Sequence, residues 1–364
     1  MLASAPRRHH ITAVVGLVVL VSGCKKAEQV EDKKAETGSA AMNVPVVSAD
    51  AAAEPEKKDD KNTIKITIGE PKKKGTALAK RCTLDGDPLV GECIGGGTGL
   101  AFDAKGMLYL VDGKRVRRYT RIDGDTGCHY AAAGDPIELP PDNPRPQSLN
   151  GPVYMRSGGA AWHLVSSEKR DAVYAHDFLG GLFRIDRGKP EPACVDVFGY
   201  DSVAPLGKDL LIARKGIEKL ALGKKCKAVP AKIDDKARGK LVVVNGKVHV
   251  ANYDKLVRYD GKTPTELGEG TRICAITGVA PCGEGGVCAI DNNCMQVIHF
   301  GADGNVARVL DDDVLFESRP WSLADAATRA DGAVLVYARH RDKTNGKEIC
   351  EGAIYELPQA LFAL

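Results

Sequence analysis

From residue 97 onward, short apolar runs alternate with tight polar turns. The clearest case is residues 99–120, GLAFDAKGMLYLVDGKRVRRYT: an apolar run, a turn, a second run, a polar corner and a third run. Short β-branched and aromatic runs bounded by Gly, Asp and Asn read as strands. Past residue 40 no stretch carries a sustained helical period, so the pattern predicts an all-β chain.

Weaker copies of this unit recur. Aligning on the residue three before the polar corner selects Tyr109, Tyr174, Leu211, His249, Cys288 and Val336. The intervals are 65, 37, 38, 39 and 48 residues. Four of them lie near the forty-odd residues of a propeller blade. The long first interval holds a proline-rich insertion at residues 136–152. Third runs fall at residues 116–119, 182–185, 217–220, 256–259, 297–300 and 354–357, each with apolar residues flanking polar ones. That is the pattern of a half-buried strand. Fourth strands are expected around Cys128, Cys194, Cys226, Leu267 and Val309.

The copy reading VCAIDNN at residues 287–293, running on to VIHF at 297–300, resembles the NHL and YWTD class of six-bladed β-propellers. The resemblance covers about residues 97–357. The unit at residues 201–230 departs from it, with Arg214 where the corner Asp belongs. The implied fold is an all-β, six-bladed β-propeller over residues 97–364, preceded by a connecting segment at 63–96. Such a ring must close on itself to protect its edges. The last unit has three clear strands, at Trp321, Val334 and Ile354. The alternating run at residues 64–68 is expected to supply the missing outer strand, with residues 360–364 as the competitor.

The N-terminus carries a separate signal. Arg7, Arg8, His9 and His10 precede an apolar run at residues 11–21. The run is too short to span a bilayer and matches the core of a secretory signal. It ends in Val21, Ser22, Gly23 and Cys24, which resembles the lipobox of bacterial lipoproteins. The resemblance implies that residues 1–23 are a signal peptide, that Cys24 is lipidated, and that the protein is anchored in the cell envelope. With Lys25 after the cysteine, it favours the outer membrane. Residues 24–62 are polar and charged, too poor in large apolar groups to order themselves, and read as a disordered tether.

Charge adds little. The net charge of +3 falls to +1 once Arg7 and Arg8 leave with the signal, so nothing points to a nucleic-acid partner. Cysteine adds more. Besides Cys24 there are ten: Cys82, Cys93, Cys128, Cys194, Cys226, Cys274, Cys282, Cys288, Cys294 and Cys350. An even number in an exported chain indicates disulfides, with connectivity open. The alternative, a metal site or free thiols, lacks any C-x-x-C pair.

No nucleophile elbow, zincin helix or phosphate-binding loop is present, and no catalytic residue is assigned. The corners Asp112, Asp177, Asn252 and Asp291 are expected to bond turn amides. The other reading is that these groups, or polar residues on first strands, ring the axial opening. The gluconolactonase-like propellers hold a divalent metal there through a Glu, an Asn and an Asp. Asn252 and Asp291 loosely imitate the last two and are the weak metal candidates, while Ala101 stands where the Glu is needed. His163 and His176 read as packing or surface residues. The expected function is a binding or scaffolding module for a protein or glycan, without a cofactor. The alternative is a metal-dependent hydrolase of the gluconolactonase-like kind.

Overall fold

The computed structural model describes residues 77–363, apart from 87–88, 92–98, 123–126, 141–161, 178–180, 198, 224–225 and 345–346. The signal segment with Cys24, the tether, the run at 64–68, Cys93 and most of the proline-rich insertion lie outside the described residues.

Apart from three single turns of helix, every described element is a strand. The strands form six sheets, each a meander of neighbours in sequence. We number these sheets as blades. Blade 1 runs Leu100–Phe102, Leu108–Asp112, Arg115–Arg121 and His129–Ala132. Blade 2 runs His163–Ser167, Ala172–Asp177, Gly181–Arg184 and Glu191–Cys194. Blade 3 runs Ser202–Leu206, Asp209–Ala213, Ile217–Ala221 and Lys227–Pro230. Blade 4 runs Lys240–Val244, Lys247–Asn252, Lys255–Asp260 and Thr263–Leu267. Blade 5 runs Ile276–Cys282, Gly286–Asp291, Gln296–Phe300 and Val306–Asp311. Blade 6 supplies Ser322–Thr328, Val334–Thr344 and Lys347–Leu357.

All six aligned positions, Tyr109 to Val336, fall on second strands. Their partners across the ladder are Arg118, Arg184, Lys219, Arg258, His299 and Tyr355, so the repeat is a repeat of register. The innermost strands touch one another in order, and that of blade 6 touches that of blade 1. The six-bladed propeller is therefore a closed ring. Its core is six apolar clusters, one between each pair of adjacent blades. Inner strands approach closely enough to require glycine. A Cβ on Gly99 would sit 2.5 Å from the backbone nitrogen of Leu164, and one on Gly278 2.9 Å from Cα of Asp325.

The ring is closed by a strand from the segment at residues 63–96, at positions 80–81; the run at 64–68 lies outside the described residues. Lys80–Arg81 pairs antiparallel with Lys347–Leu357 as the fourth strand of blade 6. Two residues on, Thr83–Leu84 pairs parallel with the outer strand of blade 1. Leu89–Gly91 then pairs antiparallel with Cys350, Glu351 and Gly352 of blade 6. The segment assigned to a connector thus contributes strands to the first and last blades, and residues 80–84 form a strap across the seam. The competing C-terminal tail makes a 3-10 turn at Gln359–Leu361 and packs Phe362 into the cluster between blades 5 and 6.

The cysteines form disulfides. Cys82 in the strap bonds Cys128 of blade 1, and Cys194 bonds Cys226, joining blades 2 and 3. Cys282 bonds Cys288 and Cys274 bonds Cys294, both within blade 5. Cys350 is disulfide-bonded too.

The seam also holds a buried ion network. Arg329, 9% exposed, donates to Glu356 Oε2 at 2.6 Å, to the Tyr130 hydroxyl at 3.1 Å and to both oxygens of Asp331 at 2.6 and 2.9 Å. Burial opposes its charge, yet these hydrogen bonds hold its pKa above the ordinary value. Tyr130 belongs to blade 1 and the other three to blade 6, so the network ties last blade to first.

Candidate functional site

First and second strands run antiparallel, so the starts of first strands share one end of the ring with the ends of second strands. We call this end the upper face. Leaving aside the disulfide-bonded Cys282, the titratable side chains of the first strands come from alternate blades: His163 in blade 2, Lys240 in blade 4 and Asp325 in blade 6. Lys240 Nζ donates to His163 Nδ1 at 3.0 Å across the intervening blade 3. The acceptor role requires a neutral imidazole. Burial, then Lys240 and then His176, holds the His163 pKa well below its ordinary value.

Lys240 is itself pushed down by burial, and Asp325 and Asp201 offset this by favouring its charge. Asp325 is raised to about 6 by burial, with Lys240 and the Ala326 amide acting against the rise. Asp201 accepts the Gly239 amide at 3.0 Å, and Ser202 Oγ bridges the Gly239 carbonyl and the Leu241 amide, fixing the start of the strand that carries Lys240. Lys240 and His163 are thus joined by a hydrogen bond, while Asp325 acts on Lys240 through its charge. Chemically they make a polar pin through the channel.

His176 and Tyr200 lie beside this pin. The rings of His163 and His176 are 5.5 Å apart, and those of His176 and Tyr200 are 5.6 Å apart. Burial first, then Lys240, lowers the His176 pKa to about 3. The sign follows directly. The unfolded chain takes up a proton near pH 6.5 that the folded chain refuses, so stability is lost as pH falls below 6.5. Between pH 7 and pH 5 such a residue costs about 2 kcal/mol. His176→Phe is expected to remove about that much of the acid-induced loss, measured by urea unfolding at both pH values. An unchanged pH dependence would show that His176 is not held neutral. Asp325 acts in the opposite sense over pH 4 to 6, since its raised pKa favours the fold at the acidic end.

The corner residues divide. Asp291 behaves as an amide binder: its carboxylate accepts the backbone N–H groups of Cys274, Ala275 and Cys294 and the side-chain amide of Gln296. Asp112 instead holds Arg117 at 2.7 Å and Arg115 at 3.4 Å. Asp177 is buried. Arg214, the departure from the pattern, pairs with Glu218 at 2.9 Å. Asn252 ends the second strand of blade 4 and is exposed. Asp103, in the opening stretch, accepts the Lys105 and Met107 amides and so shapes the hairpin on the lower face. Among the described residues, one group of three metal-capable side chains comes within reach of one another: Cys274, Asp291 and Cys294. Its two sulfurs are bonded to each other and its carboxylate is occupied by four hydrogen bonds.

A cleft of about 670 Å³ opens on the upper face between blades 5 and 6. Asn292, Asn293 and Met295 of the blade 5 corner form one wall, and Arg319, Trp321, His340 and Arg341 of blade 6 the other. The Asn292 side-chain oxygen accepts the Leu323 amide at 2.8 Å and stitches the two walls. Trp321 is 41% exposed, and Arg341 lies over its ring at 5.7 Å. Met295 is buried with φ of 54°, a left-handed conformation that a bulky side chain adopts only when its surroundings impose it. The sequence showed the DNN corner but not this cleft, because its second wall comes from Arg319 to Trp321 and from a strand extension at His340 and Arg341 that belong to no repeat. Lys240 and Asp325 were missed as well; each is a lone charge in an otherwise ordinary first-strand run.

No protein-family model matches the sequence, and no curated protein matches it. Among solved structures, the chain is similar to virginiamycin B lyase from Staphylococcus aureus with quinupristin at 13% identity and a TM-score of 0.43, covering 74% of this chain and 88% of that one. It is similar to the calcium-binding protein regucalcin from Agrobacterium tumefaciens at 16% identity and 0.45, covering 76% and 96%. An auxiliary nutrient binding protein from Bacteroides thetaiotaomicron matches at 13% and 0.43, covering 71% and 69%. These likenesses bear on neither site nor activity.

Proposed function

We propose that the protein is a binding module of the cell envelope, anchored through lipid on Cys24 and presenting its upper face to a protein or glycan partner. The observation that carries this reading is the contrast between cleft and channel. In the channel Lys240 is hydrogen-bonded to His163, whereas the cleft walls carry an exposed indole together with the side chains of Arg319, Arg341, Asn292 and Asn293. Partner sites are enriched in such aromatic and arginine anchors. Tyr253, 61% exposed in blade 4, extends the same surface, its hydroxyl accepting from Asn293 at 3.2 Å.

The metal-dependent hydrolase reading requires ligands converging in the channel. Asn252 is exposed at its corner, and the Asp291 carboxylate accepts four hydrogen bonds that a metal would have to displace.

Affinity capture with crosslinking from solubilised envelope tests the proposal. The full-length protein is expected to retain a specific partner that the Trp321→Ala, Tyr253→Ala variant loses. Identical capture by both proteins would contradict it.

A further inference from the structure

We propose that Lys240 is the nucleophilic amine of a carbonyl site in the channel, forming an imine with a small aldehyde, with His163 as its base and Asp325 as its acid. This goes beyond the binding reading above, whose residues lie in the cleft, and neither depends on the other.

Lys240 belongs to blade 4 and His163 to blade 2, yet their nitrogens meet at 3.0 Å. Blades that are not neighbours can meet only inside the ring, so the contact lies in the channel. Asp325 acts on Lys240 from blade 6. All three residues are half-buried, so each keeps surface that a small molecule can touch. Asp201 and Ser202 fix the backbone on either side of Lys240, at Gly239 and Leu241. An amine within hydrogen-bond reach of a base, with both held on strands, is the arrangement that nucleophilic catalysis requires.

Attack on a carbonyl needs a neutral amine, whose nitrogen has a lone pair. Among the described residues no carboxylate forms an ion pair with Lys240, and its hydrogen-bond partner is His163 alone. Burial pushes the Lys240 pKa down, against the pull of Asp325 and Asp201. His163 is held neutral by burial, then Lys240, then His176, with no acid acting the other way, so its ring can accept a proton. Burial raises Asp325 to about 6, so its carboxyl can give one. Burial thus drives all three toward their uncharged forms: amine, imidazole and carboxylic acid.

The step balances. The Lys240 lone pair forms a bond from Nζ to the carbonyl carbon. The carbonyl π pair moves to oxygen, which takes the Asp325 proton. Nζ passes one of its two protons to His163. The imidazolium returns that proton to the new hydroxyl, which leaves as water while the nitrogen lone pair closes the C=N bond. The product is a protonated imine with the Asp325 carboxylate as its counter-ion.

The purified full-length protein at pH 7 is treated with propanal and sodium cyanoborohydride, which delivers hydride to the imine carbon and traps it as a secondary amine. Peptide mass spectrometry reads the labelling rate of every lysine in the same sample. An ordinary lysine at pH 7 is almost entirely protonated. Lys240 should be labelled at least about tenfold faster than the exposed Lys208 and Lys236. His163→Gln keeps a hydrogen-bond acceptor but loses the base, and should slow Lys240 by about tenfold or more while leaving Lys208 unchanged. Asp325→Asn should slow Lys240 as well. Unchanged thermal midpoints would show that the substitutions leave the fold intact. If His163→Gln does not fold, the comparison of Lys240 with Lys208 in the unsubstituted protein decides by itself. Labelling of Lys240 no faster than that of Lys208, or at an unchanged rate in folded His163→Gln, would overturn the proposal.

Discussion

Replacing Arg329 by Met is expected to lower stability by about 3–5 kcal/mol, the cost of removing one partner from a buried ion pair. The side chain is 9% exposed and neutralises Glu356 and Asp331 at once. Methionine fills similar space, so the loss isolates the charge rather than a cavity. Glu356 is left facing Arg121 at 3.9 Å, too far for a good hydrogen bond to replace what was lost. The check is urea unfolding, where the midpoint should fall without a change in slope. Adding Glu356→Gln should restore part of the loss, because neighbours in one network are not additive. A loss below about 1 kcal/mol would mean that the network is no stronger than an exposed ion pair.

Breaking the strap disulfide by Cys82→Ser with Cys128→Ser should cost a comparable amount. The bond closes 46 residues, for which chain entropy predicts about 4 kcal/mol. The bond from Cys282 to Cys288 closes 6 residues, and the same relation gives about 2 kcal/mol. The ranking is the informative part. The strap joins blades 6 and 1 through the Cys82 amide on Ile354 at 2.8 Å and the Thr83 amide on Cys128 at 2.7 Å. Freed of its disulfide, it can leave the seam as a unit, exposing the outer edges of both blades. Thermal midpoints of the two double variants check this. If loss of the blade 5 bond costs as much as loss of the strap bond, unfolded-state entropy is not what the strap bond supplies.

The ring was legible in the sequence because its period lies in backbone register. Each unit needs apolar residues on the faces of its second and third strands, whichever residues they are, so Leu211 and Cys288 mark the same position as Tyr109. The closing strand was not legible for the opposite reason. Residues 64–68 show clean alternation, whereas Lys80 and Arg81, which do the pairing, are exposed and polar. An edge strand is held by backbone hydrogen bonds and has little need of a pattern. The disulfide content followed from the even cysteine count, but the pairing depended on which blades become neighbours. At the site, the corner Asp291 was readable as an amide binder. The cleft was not, because Trp321, Arg319 and His340 meet Asn292 only across the boundary between two blades.

The central claim, that the upper face is the partner surface, is tested most directly by placing a photo-crosslinking amino acid at Tyr253 on that face and at Lys208 on the lower one. Both positions are exposed and lie in turns between strands. In intact envelope the Tyr253 position should give a discrete crosslinked species that the Lys208 position does not. Crosslinking from Lys208 with none from Tyr253 would contradict the account.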